Sequence, residues 1–175
     1  RRGKPRRSNV FLWRNGSAAV LLHEAIGHAA EHGHAPLQWP SWLTVRDEDA
    51  DLLREPPRRW RRESFRDLPL RRMTNLVVAQ HDAPFAPPDD YIEINLIRGG
   101  AYDPLTEMVT IDVAHATHQG EAIAPFRIRQ SRDEVARALR GATGEPLRYP
   151  GVICSSEGQE LFVGSHAPVM LTSFA

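Results

Sequence analysis

The stretch Leu21-Leu22-His23-Glu24-Ala25-Ile26-Gly27-His28-Ala29-Ala30-Glu31-His32-Gly33 sets the reading of the whole chain. It has the pattern of a helix: Ser17 stands at an N-cap position, an Ala/Leu/Ile run follows, and Gly33 falls where a left-handed C-terminal residue belongs. Imidazoles and carboxylates crowd into about three helical turns, a density that points to a metal. His23-Glu24 followed by His28 is close to the zinc-protease pattern H-E-x-x-H, with one residue more between the histidines. The extra residue matters, because positions four apart lie about 40° from each other around a helix and positions five apart about 140°. A regular α-helix therefore keeps His23 and His28 from sharing an ion. A π-bulge, which closes an i to i+5 turn, brings them together, and Gly27 eases such a distortion. A second register is open: Glu24, His28 and His32 are spaced four apart and line one face without a bulge. The plain alternative to both is an amphipathic helix whose histidines are merely polar.

Two further stretches go with this helix. One is Arg62-Glu63-Ser64-Phe65-Arg66-Asp67-Leu68-Pro69-Leu70-Arg71-Arg72-Met73-Thr74-Asn75. The other runs from Tyr91 through Gly99-Gly100-Ala101-Tyr102-Asp103-Pro104-Leu105-Thr106 to a tail of pattern G-x-x-C-x-x-x-G-Q-x-x-x-V-G, which includes Val152-Ile153-Cys154 and Val163-Gly164. In this order the three segments resemble the TldD/PmbA family of metalloproteases, and the helix resembles that of its TldD-type subunit. The resemblance implies that His23, His28 and Cys154 bind one zinc ion per chain, that Glu24 is the general base, and that His32 lies outside the ligand set. Three protein ligands leave a position open for water, which is the catalytic arrangement. The resemblance also implies peptide or unfolded-polypeptide substrates, cleaved in peptide maturation or in degradation of small labile proteins. It implies a homo- or heterodimer with a PmbA/TldD-like subunit, and it places Arg62, Arg66 and Asn75 near a peptide cleft. The family's separate N-terminal domain has no counterpart in these residues, and the region from 33 to 62 is short and different. A catalytically inactive TldD/PmbA-like partner or interaction subunit is therefore the alternative reading.

Composition narrows the classes. At 175 residues the chain suits one domain, with a formal net charge of zero. No apolar run is long enough to span a membrane, and the start, Arg1-Arg2-Gly3-Lys4-Pro5-Arg6-Arg7, lacks the apolar core of a signal peptide, so the cytoplasm is the expected compartment. Cys154 is the single cysteine, which excludes an intrachain disulfide; on its own it would read as a small buried hydrophobe. From Arg54 to Arg72 eight arginines face three acids, with Trp60 and Phe65 interleaved. An arginine-rich nucleic-acid-binding module is the third reading, set behind a solvated arginine-rich surface because the total charge balances.

Along the chain, residues 1–8 are expected to be a basic disordered arm and 9–175 a single domain. Asn9–Trp13 is expected as a strand leading into the helix at 17–32. Residues 33–72 are expected to be mostly loop, with a short helix around Asp47–Leu53. Met73–Gln80, Tyr91–Ile97, Met108–Val113 and Ile123–Arg129 have the character of strands, the second and third alternating as an antiparallel pair joined by a long loop. His115 and His118 are assigned to a loop rather than to a second metal pair. Ser131-Arg132-Asp133-Glu134 is a capping box opening a helix over 132–140 that Gly141 ends. Short strands close the chain between 151 and 173. The expected fold is α+β: an antiparallel sheet or barrel-like core carrying the metal-bearing helix and the second short helix.

Overall fold

In the computed structural model residues 8–156 and 158–174 are described. The expected basic arm therefore lies outside the described residues, apart from Ser8, whose hydroxyl donates to the Asp90 carbonyl at 3.0 Å.

Strand is the dominant element: among the described residues ten strands form one large mixed sheet and two short ones form a separate antiparallel pair. The strands are β1 (Val10–Trp13), β2 (Leu43–Asp47), β3 (Ala50–Asp51), β4 (Trp60–Arg61), β5 (Leu70–Arg71), β6 (Asn75–Gln80), β7 (Ile92–Asp103), β8 (Met108–His118), β9 (Glu121–Ile123), β10 (Phe126–Ser131), β11 (Leu139–Ser156) and β12 (Gln159–Ser173). The helical parts are short: α1 (Ala18–Leu22), a π-helical turn (His23–His28) and α2 (Ala29–Glu31) run on from one another, and α3 (Arg132–Ala138) stands apart. The sheet follows the order β10-β8-β7-β1-β12-β6-β2-β3, with β11 on β12 and β9 on β8.

This corrects the expected α+β fold with an antiparallel, barrel-like core. β1 runs parallel to β7 and β6 runs parallel to β12, so the sheet is mixed. Its outer strands β10 and β3 do not pair with each other, so it is not closed. Alternation along a strand reveals which face is buried but not which distant strand will lie beside it, or in which direction. The short N-terminal strand is the case in point: Leu12 faces Leu171 on one side and Glu93 on the other.

Three local expectations change as well. The helix around Asp47–Leu53 is absent; Leu43–Asp47 alternates buried and exposed and turns into β3 through Glu48, at φ 53°. The closing strands are one long hairpin, β11 against β12, in which Pro146 and Pro150 fall within register shifts between Thr143 and Leu147 and between Tyr149 and Val152. Both prolines are accommodated at those irregularities. The loop between β7 and β8 is also short, because Gly99–Asp103 continues β7 opposite Asp112–Met108. The capping box does form: Ser131 Oγ accepts from the Glu134 amide, and the Glu134 carboxylate accepts from the Ser131 amide at 2.7 Å. α3 ends two residues early, however, because Leu139 is already extended and Gly141 lies in β11 against the Pro84 carbonyl.

Every residue from Ser17 to Ala29 is buried, and α1 packs on β12, β6, β7 and β8. A helix that buries its whole circumference belongs to the core rather than to a surface. It closes as the sequence implies: Gly33, at φ 68°, donates to the Ala30 carbonyl and His34 to that of Ala29, a paired C-terminal cap. Ser17 stands at the N-terminus, but its hydroxyl goes to the Ile94 carbonyl at 3.3 Å instead of capping. Among the described residues no helix is long and apolar enough to cross a membrane.

Candidate metal centre

The π-helical turn over His23–His28 is the distortion that the five-residue spacing demands. It sets the two imidazole rings 4.8 Å apart and nearly perpendicular. Gly27 has a packing role within it. A side chain there would run into Met73, whose Cε lies 2.6 Å from where a Cβ would stand.

Cys154, on β11, meets the helix directly. Its Sγ is 3.4 Å from His23 Nε2 and 3.2 Å from His28 Nε2. Among the described residues these three offer donor atoms within 4.8 Å of one another, and all are buried. The chemistry of the set suits zinc. Bonds of about 2.0 Å to nitrogen and 2.3 Å to sulfur at a tetrahedral ion separate N from S by about 3.5 Å. His23 Nδ1 is buried with no hydrogen-bond partner, so only its Nε2 is engaged, and that atom faces the cysteine.

Glu24 lies beside the three, its Oε2 3.6 Å from His28 Nε2. It projects into space that Gly100 of β7 leaves open: a Cβ at Gly100 would fall 2.7 Å from both Cγ and Oε1 of Glu24. Burial raises the Glu24 carboxyl to about 7, with His28 opposing the rise and Glu31 adding to it. The two imidazoles diverge. Burial lowers His23, and the charges of His28 and Arg72 lower it further. Burial would lower His28 too, but its contacts with Cys154 and Glu31 and the charge of Glu24 outweigh this and raise it to about 10.

A second layer surrounds these groups. The Glu31 carboxylate accepts a hydrogen bond from His28 Nδ1 at 2.8 Å. Its other oxygen accepts from Arg72 Nε at 3.2 Å and from the Met73 amide at 2.7 Å. Arg72, only 1% exposed, donates from Nη2 to Cys154 Sγ at 2.9 Å. Arg132, from the first turn of α3, donates to the Ala25 carbonyl inside the π turn at 3.0 Å and to the Ala35 carbonyl at 3.0 Å. Sequence reasoning missed Glu31, Arg72, Gly100 and Arg132 as parts of the site. A signal existed for Glu31 alone, three residues after His28 and so on the same helical face.

The centre lies at the floor of a cleft of about 990 Å³, walled by Leu96–Tyr102 of β7 and by Tyr149, Pro150 and Ile153 to Ser155 of β11. β1 pairs with β7 only as far as Ile94, and the Tyr149 hydroxyl serves both the amide and the carbonyl of Ile97 at 2.8 Å. His32 lines the same cleft, close to His34 and Tyr102, but does not share the convergence of His23, His28 and Cys154. Arg62 and Arg66 are exposed and line no part of the cleft; Asn75 is half-buried, its side chain against Gly164. His115 and His118 lie in β8 rather than in the expected loop; His118 pairs with Asp90 at 2.6 Å and His115 is exposed, and neither joins the centre.

No protein-family model matches the sequence, and no curated protein matches it by sequence. The fold does match: the crystal structure of TldE from Thermococcus kodakarensis superposes with a TM-score of 0.55 at 12% sequence identity, over 95% of this chain and 49% of that one. The chain thus has the fold of the TldD/PmbA family and spans about half the length of that solved relative.

Proposed function

We propose that the protein is a zinc-dependent metallopeptidase that hydrolyses peptides or unfolded polypeptides at the centre formed by His23, His28 and Cys154. The observation that carries this reading is the convergence of three buried donor atoms beside a buried carboxyl, at the floor of an open cleft. The fold shared with TldE supports it independently of any sequence motif.

His23 and His28 would hold the ion through Nε2 and Cys154 through Sγ. Bound zinc would supply Lewis acidity, polarising a peptide carbonyl and acidifying a water. Glu24 takes the proton from the attacking water and passes it to the departing amine nitrogen. A buried carboxyl beside the three donor atoms is placed to accept a proton and then to donate it. The edge of β7 beyond Ile97, past the end of β1 and past the groups that Tyr149 engages, suits an extended peptide held by its main chain. A second subunit of TldD/PmbA type, completing the cleft, is part of the proposal, as is the assignment of residues 9–175 to one domain.

Elemental analysis of the wild type beside Cys154→Ala tests the centre. About one zinc per chain, largely lost in the variant, is the expected result; no metal in either would remove the enzyme reading. Glu24→Gln then tests the chemistry: it should retain the metal and lose hydrolysis of a flexible peptide. Metal retained by a wild type that cleaves no peptide would instead favour a non-catalytic partner subunit.

A further inference from the structure

We infer that Arg72 and Glu31 are positioning residues that lock Cys154 and His28 into one ligand geometry, an inference that rests on the metal-centre reading. The four side chains close a ring of contacts. Cys154 Sγ lies 3.2 Å from His28 Nε2, and His28 Nδ1 lies 2.8 Å from Glu31 Oε2. Glu31 Oε1 then accepts from Arg72 Nε at 3.2 Å, and Arg72 Nη2 returns to Cys154 Sγ at 2.9 Å. Every link joins elements distant in sequence or successive turns of the metal helix, so the ring ties that helix to β11.

Each member has a distinct effect. With its proton on Nδ1 and donated to Glu31, His28 keeps the Nε2 lone pair free for an ion. Arg72 donates from the same nitrogen to the Cys154 carbonyl at 3.1 Å, so one guanidinium fixes both the backbone and the sulfur of the ligand. A guanidinium can do this because its planar fork presents several donors in fixed directions, which an ammonium cannot. Stability alone does not explain the pair. A buried ion pair is often no better for folding than apolar side chains of similar size, and Arg72 Nη1 is left buried without a partner. A site that needs an oriented sulfur accounts for a cation kept there.

Cobalt(II) titration of the metal-free full chain tests the inference, with Arg72→Gln, Arg72→Lys and Glu31→Gln beside the wild type. Circular dichroism first establishes which variants fold. The wild type should bind one cobalt ion with a thiolate-to-cobalt charge-transfer absorption. The folded variants should bind about 10–100-fold more weakly. Removing the donor from the sulfur should also move the charge-transfer band in both Arg72 variants and leave it in place in Glu31→Gln, a signature that a merely structural role would not produce. Arg72→Lys keeps the charge and size and guards against misfolding of the glutamine variant. Wild-type affinity and an unmoved band in folded Arg72 variants would overturn the positioning role while leaving the metal centre intact. A wild type that binds no cobalt would overturn both.

Discussion

The helix from Ala18 to Glu31 and the segment from Arg54 to Arg71 are both dense in charge, and the chain treats them in opposite ways. In the helix the charged and polar groups point inward. His23, Glu24 and His28 are 1%, 4% and 7% exposed, and each meets a partner or the cleft. In the segment most of them point outward, Arg61 excepted, whose guanidinium donates to the Met73 and Phe162 carbonyls. Arg58 pairs with Asp49 and Glu55, Arg59 with Glu48, and Arg66 and Arg71 lie over the rings of Phe65 and Trp60. Among the described residues the two buried arginines, Arg72 and Arg132, are the ones that touch the metal helix or its ligands. Exposed ion pairs are worth little because water competes for both members; a buried guanidinium must find its acceptors within the protein and so fixes whatever it touches.

Arg132→Ala should break that contrast most severely. It leaves the buried Ala25 carbonyl without this donor, takes a second bond from the exposed Ala35, and removes a buried stem from between α3 and the π turn. An orphaned buried polar group costs roughly 1–3 kcal/mol, so urea denaturation should show a loss of about 2–4 kcal/mol. A loss of only a few tenths would mean that the buried arginine is no different from the surface ones. Gly27→Ala should come next. Alanine is better than glycine in a helix by about 1 kcal/mol, but the new methyl collides with Met73, and overpacking costs about 1–3 kcal/mol. A net loss of about 1 kcal/mol is expected, shrinking when Met73→Ala is added. Additive effects in that double-mutant cycle would show that the two residues do not share one space.

The centre was more legible than the sheet, for physical reasons. His23 and His28 announce themselves because metal chemistry needs those side chains, and their five-residue spacing calls for a π turn if both are to reach one ion. The capping box at Ser131 is local in the same way. Cys154 entered through a resemblance of short segments, since a lone cysteine carries no signal of its own. The mixed sheet was hidden because parallel neighbours such as β1 and β7 are joined only through tertiary closure, with Phe11 opposite Ile92. Arg72 and Arg132 were hidden inside an arginine-rich composition, where nothing local separates the guanidinium that goes inside from those that stay out.

Glu134 tests an intermediate case, an exposed charge held by backbone geometry. Its carboxylate accepts from the Ser131 amide and hydroxyl, which hold its pKa below the ordinary glutamate value. A carboxyl lowered in the folded state adds stability above its unfolded pKa and loses it as pH falls through the folded one. The stability difference between wild type and Glu134→Gln should therefore be present at neutral pH and close in acid, as read from thermal midpoints. A difference that persists unchanged into acid would assign the effect to shape rather than charge.

Arg58→Ala should have the smallest effect. The guanidinium contacts Glu55 at 2.8 Å and Asp49 at 2.9 Å, as close as the contacts of Arg132, yet it is half-exposed and both acids reach water. Short distance alone does not make the pair valuable, because water can replace each hydrogen bond and salt screens what remains. The thermal midpoint of Arg58→Ala should match that of the wild type at physiological salt and fall slightly below it only at low ionic strength. A drop that is large and indifferent to salt would mean that the Arg54–Arg71 surface is structurally committed, and the division between inner and outer arginines would have to be redrawn around it.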